Sequence, residues 1–162
     1  MSESSDRTTL EESRNIELVK EYMLIAYDPR RASAEAVSHL CAPNNSFIAP
    51  TTFPSVHTLE QYAEEHGKLM KQVNDLHLIS FDVLFARGHW VCLRYTAEGS
   101  HSGEPHGEIP PTGKKARWTA AALFRIEGGK LAEFIKEWDK LSLWGQLGWP
   151  LEECLSHQAR DH

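Results

Sequence analysis

No run of apolar residues approaches the ~20 that a helix needs to cross a bilayer. The N-terminal segment MSESSDRTTLEES is polar and acidic, with nothing like the apolar core of a signal peptide. A cytoplasmic setting and no membrane partner are the resulting expectations. Cysteine is scarce: Cys41, Cys92 and Cys154 make an odd count, and no CxxC pair occurs. That argues against both a disulfide framework and a zinc site, so no metal is expected. Basic clusters are missing too. Seventeen Lys and Arg stand against 23 Asp and Glu, for a net charge of −6. Nucleic acid and anionic membranes are therefore poor partners, and neither is expected. There is no internal repeat, no low-complexity tract and no interdomain linker.

What remains is an ordinary globular composition. The 162 residues are 41% apolar and 25% charged, enough for one domain with a real core. Residues 1–12 read as a disordered or loosely attached tail, 13–150 as a single domain, and 151–162 as a C-terminal extension. From Ser13, Ile16, Val19, Met23 and Ala26 recur at helical spacing until Asp28-Pro29 stops the run. A second helix is expected over Ser33–Leu40. Ala42-Pro43-Asn44-Asn45 reads as a breaker, and Phe47–Pro50 as a short extended piece. Thr58 and Gln61 have capping-box spacing ahead of a third helix. Its apolar face carries Leu59, Tyr62, Ala63, His66, Leu69, Met70 and Val73.

Strand chemistry then takes over: Leu76–Ala86, a turn at Arg87-Gly88, and His89–Glu98. A long loop rich in Gly, Pro and His follows, then Lys114–Ile126, a Gly128-Gly129 turn and Lys130–Trp138. An apolar helix over Leu141–Leu147 ends at Gly148. Helices first and a meander afterwards predict an α+β fold. Three N-terminal helices would pack on a curved, mainly antiparallel four-stranded sheet, with a short C-terminal helix. Such a cup suits a small apolar or aromatic organic ligand.

Three segments resemble one family over about Asn15 to Gly148. Arg94-Tyr95-Thr96-Ala97-Glu98-Gly99-Ser100-His101-Ser102-Gly103-Glu104 is similar to R-W-T-A-T-G-T-H-T-G-E. Ile109-Pro110-Pro111-Thr112-Gly113-Lys114-Lys115 is similar to I-P-P-T-G-K/R-x. Asp139-Lys140-Leu141 and Gln146-Leu147-Gly148 match D-x-L…Q-L-G. This is the pattern of the SnoaL-like polyketide cyclases (ester cyclases) of the nuclear-transport-factor-2-like superfamily. The resemblance implies a cone-shaped α+β barrel, a homodimer, an enclosed pocket and no cofactor.

The resemblance breaks where the cyclase chemistry sits. The family's last strand commonly reads E-H-W-D-x-x-D. Here the register gives Glu133-Phe134-Ile135-Lys136-Glu137-Trp138-Asp139. Phe134 stands for the His, Lys136 for the first Asp, and Asp139 keeps the second Asp. A pocket His of the preceding strand falls near Ala122, and the early D-H pair near Ile48–Pro50 is absent. A carboxylate in a dry pocket serves as a base because burial raises its pKa. Burial does the reverse to a lysine, which could act as base, amine nucleophile or cationic stabiliser of an oxyanion.

The catalytic candidates are Lys136, Asp139 and His57. Alternation puts Phe134, Lys136 and Trp138 on one strand face, and Trp118, Ala120 and Ala122 on another. Trp118, Phe134, Trp138 and Ala122 are the expected substrate walls. Each candidate has a competing structural role. Lys136 could snorkel outward over Trp138. Asp139 sits where an N-cap belongs. His57 could be a solvated loop histidine, and His101 could organise its loop or a dimer contact. The functions to weigh are a cofactor-independent enzyme (cyclisation, isomerisation or dehydration of a polyketide-like carbonyl compound), a non-catalytic binder of small molecules, and a structural dimerisation module.

Overall fold

A capping box opens the first helix, α1 (Leu10–Ala26). Thr9 accepts from the Glu12 backbone N–H, and the Glu12 carboxylate accepts from the Thr9 N–H. The start therefore falls three residues ahead of Ser13, within the stretch read as a loose tail. The structure, a computed structural model, describes residues 7–156; the remainder of the expected tail and extension lies outside the described residues. Then come α2 (Ala34–Ser38), β1 (Cys41–Ile48), α3 (Leu59–Gln72), β2 (His77–Arg87), β3 (Trp90–Ser100), β4 (Lys115–Glu127), β5 (Lys130–Trp138), α4 (Lys140–Leu147) and α5 (Glu152–Ser156).

The fold is the expected α+β cone, with one strand and one short helix more than expected. The sheet has five strands in the order β1-β5-β4-β3-β2. β1, the segment read as a breaker, runs parallel to β5 at the sheet edge. Pro43 is tolerated because the edge position and a bulge spare it from the ladder. The register steps from Cys41↔Leu131 to Ser46↔Glu133, so the Ala42–Asn45 stretch is extruded without losing the pairing. Two register shifts in β2 against β3 bend the other edge of the sheet. The curved sheet receives α1 and α3 on its concave face.

Cross-strand register sorts the side chains into rows. Val91, Phe124, Phe134 and Phe47 lie opposite one another and are all buried. The next inner rows are Leu93–Ala122–Lys136 and Tyr95–Ala120–Trp138. On the outer face one apolar row crosses all five strands: Phe85, Cys92, Leu123, Ile135 and Ile48. Phe85 is 54% exposed and Leu123 41%.

The Ser100–Lys114 loop docks on the end of α3. Gly103 and Glu104 donate backbone N–H bonds to the Gln72 and Lys71 carbonyls, which the helix cannot satisfy itself. Gly103 is needed there because a Cβ would stand 2.1 Å from the Lys71 carbonyl oxygen. His101, with no exposure, organises the loop. Its Nδ1 accepts from Trp149 Nε1 and the Thr112 N–H, and its Nε2 donates to the Glu104 carbonyl.

Candidate active site

Lys136 points inward and is 2% exposed. Strand alternation puts it on the concave face, and Ala122 directly opposite leaves room for its stem. Its Nζ donates to Tyr62 Oη at 2.9 Å and to Tyr27 Oη at 3.1 Å. Tyr27 Oη lies 2.6 Å from Tyr95 Oη and 3.0 Å from Tyr62 Oη. Four elements, α1, α3, β3 and β5, thus meet in one buried cluster of hydroxyls around one amine. Aromatic rings close the rest of the shell. The Nζ stands 4.5 Å from the Trp138 ring centroid, 5.1 Å from Tyr62, 5.5 Å from Phe53 and 5.7 Å from Tyr27.

Among the described residues no carboxylate pairs with this amine. Burial alone pushes its pKa from the ordinary 10.5 down to about 7. The three tyrosines, pushed upward by burial, stay protonated and neutral. His66, on α3 one turn after Tyr62, donates from Nδ1 to the Ala26 carbonyl at 2.6 Å. Burial first, and then the Lys136 charge, lower its pKa to about 3. It is therefore neutral at physiological pH. The amine is the member of the cluster whose charge changes near neutrality.

Two surface cavities each have one ring of the amine's shell in their wall. A cavity of about 510 Å³ has Tyr27 in its wall, with Leu24, Arg30, Arg31, Asp75 and Leu78. One of about 200 Å³ has Trp138 in its wall, with Thr52, Asp139, Lys140, Leu141 and Cys154. Phe53 stacks on Trp138 with centroids 6.0 Å apart, so the two rings together cover the amine. The buried Trp138 Nε1 and Thr52 Oγ1 have no hydrogen-bond partner among the described residues. Among those residues there is also no cluster of three or more His, Cys, Asp or Glu able to hold a metal, and no helix long and apolar enough to cross a membrane.

The structure separates the other sequence candidates from Lys136. Asp139 is exposed and caps α4, accepting from the Ser142 N–H at 2.9 Å. His57 is exposed on the loop before α3, and its backbone N–H donates to Gln61 Oε1. Thr58 caps α3 as its spacing predicted, accepting from the Gln61 N–H, while the Gln61 side chain bonds His57, one residue before the cap. Neither residue bonds to the amine or its tyrosines. Phe134, expected as a substrate wall, stacks on Phe124 at 4.2 Å inside the core. Trp118 and Ala122 lie on the same concave face and are buried. Tyr27, Tyr95 and Phe53 were not singled out from the sequence. The signal available was Tyr62 and His66 on one face of α3, four residues apart, pointing at the same sheet.

A curved sheet wrapped around two helices, with a polar cluster at its heart, is the nuclear-transport-factor-2-like architecture. The sequence model of the SnoaL-like polyketide cyclases matches residues 20–147. The chain belongs to the SnoaL-like polyketide cyclase family. A candidate SnoaL-like polyketide cyclase from Jannaschia sp. CCS1 superposes with a TM-score of 0.73 at 18% identity, covering 91% of this chain and 99% of that one. TsrD from Streptomyces laurentii gives a TM-score of 0.65 at 26% identity, covering 83% and 95%. IdmH from Streptomyces antibioticus, a candidate polyketide cyclase, gives 0.67 at 22% identity, covering 83% and 98%. No curated protein matches the chain in sequence.

Proposed function

We propose that the chain is a cofactor-independent enzyme of specialised metabolism. It performs proton-transfer chemistry (cyclisation, isomerisation or dehydration) on a polyketide-like or otherwise apolar carbonyl compound. The observation that carries this reading is a buried amine whose hydrogen-bond partners among the described residues are tyrosine hydroxyls; burial lowers its pKa to about 7. As the neutral amine, Lys136 removes a proton next to a carbonyl. As the ammonium, with the tyrosine hydroxyls, it stabilises the resulting enolate. It stands where the family resemblance places the cyclase acid–base Asp, so the position is reused with the opposite charge type. Asp139 and His57 stay outside the chemistry. The apolar row on the outer sheet face supports a homodimer, and three free thiols fit a reducing, cytoplasmic setting.

The closed aromatic cover over Lys136 supports a second reading, a non-catalytic binder of small carbonyl compounds. Exchange of the α-protons of an aromatic ketone such as 2-tetralone in D₂O separates the two. The wild type should accelerate exchange, and Lys136→Met should lower the rate by roughly 10²-fold, the usual worth of a positioned base. Equal rates for both proteins would remove Lys136 from the chemistry. Saturable binding of the ketone without exchange would favour the binder.

A further inference from the structure

We propose that Lys136 also captures its ligand covalently, by condensing with one carbonyl of a β-dicarbonyl compound to form a neutral enaminone. This rests on the carbonyl reading above and adds a bond to it. The geometry supplies three reasons. The amine is buried with no carboxylate partner among the described residues, so hydroxyls and ring faces alone offset the desolvation of its charge, and an uncharged product relieves it. Its two bonding partners are hydroxyls, which can pass protons in either direction, rather than a carboxylate that would hold the amine protonated. Opening the cover also breaks no hydrogen bond at the indole N–H of Trp138 or the hydroxyl of Thr52, which have no partner among the described residues. Both residues line the 200 Å³ cavity, so a carbonyl oxygen entering as the cover opens would meet their unpartnered hydroxyl and N–H.

The step balances without an oxidant or reductant. The Nζ lone pair attacks the carbonyl carbon, and the C=O π electrons move to oxygen, which takes a proton from a tyrosine hydroxyl. An Nζ proton restores that hydroxyl. The carbinolamine loses its oxygen as water. The departing oxygen takes its second proton from a tyrosine hydroxyl, the carbon between the two carbonyls gives up a proton that restores that hydroxyl, and the nitrogen keeps one N–H. The second carbonyl remains as an acceptor for the hydroxyls that formerly accepted from the ammonium. A lone ketone would offer no such acceptor, and its protonated imine would bury the charge again. That favours a 1,3-dicarbonyl as the ligand class.

Acetylacetone is the probe. The full chain is incubated with it near pH 7, where exposed lysines remain protonated. The expected result is the near-ultraviolet absorption of an enaminone and an intact mass raised by one acetylacetone less one water. Peptide mapping should place the adduct on Lys136. The Lys136→Met chain should show neither signal, and wild-type mapping alone decides the site if that variant folds poorly. A shift in tryptophan fluorescence with no mass increase would overturn covalent capture and leave the acid–base reading standing. Adducts spread over surface lysines, equal in both proteins, would also overturn it. Neither binding nor adduct would overturn covalent capture, and the proton-exchange assay then decides the acid–base reading.

Discussion

Replacing Lys136 by Met should make the protein's stability markedly less dependent on pH. Methionine keeps an unbranched stem of similar length and carries no charge. In the wild type the native amine releases its proton near pH 7, whereas the unfolded amine keeps its proton up to about 10.5. Between those values the unfolded chain binds more protons than the native one. Stability therefore rises with pH across that window. Below it both states are protonated, and the native state bears the whole cost of the buried charge. Three and a half pH units at ~1.4 kcal/mol each put that cost at about 5 kcal/mol. From about pH 6 to pH 9 some two units are recovered, about 3 kcal/mol.

The neighbours do not blur this window. Tyr27 at the C-terminal cap of α1, Tyr62 on α3 and Tyr95 on β3 hold their protons throughout. His66 on α3 titrates near 3 when folded and near 6.5 when unfolded, mostly below the range. Urea unfolding of both proteins, followed by tryptophan fluorescence at intervals of pH, measures the effect. Lys136→Met should be the more stable chain at pH 6 by a margin that shrinks by about 3 kcal/mol by pH 9. A margin constant to within ~0.5 kcal/mol would refute the reasoning, because it would mean the amine titrates alike in both states.

Two further outcomes follow from the same geometry. Asp139→Ala should lose about 1 kcal/mol through the α4 cap, and His57→Ala should change stability by less than ~0.5 kcal/mol; both should retain α-proton exchange. Loss of exchange in either would return that residue to the chemistry. Sedimentation should find the wild type as a dimer joined through the outer sheet face, and Phe85→Lys or Leu123→Lys as a folded monomer. A wild-type monomer, or a dimer that survives the charge, would place the contact elsewhere or nowhere.

The architecture was largely readable from local pattern. β5 falls on the residues that alternation marked, and Gly148 ends α4 in the left-handed conformation that its position after an apolar helix suggested. β1 was hidden because Pro43-Asn44-Asn45 carries turn chemistry. Only the parallel pairing with β5, some ninety residues distant, shows that a bulge absorbs those residues. The site was half legible. Alternation restricted Lys136 to one of two faces, and burial fixed which. Its partners were not legible. Tyr27 ends α1 beside an Asp-Pro stop, Tyr62 reads as one more apolar-face residue, and Tyr95 belongs to a strand motif. No local periodicity says that three such hydroxyls meet at one nitrogen.

An enclosure of four rings around a cation is a receptor for ammonium compounds, and here the protein has wired its own guest into the box. A tethered guest competes at an effective concentration that dissolved amines rarely match. Those rings are therefore already taken as a seat for a dissolved ammonium group.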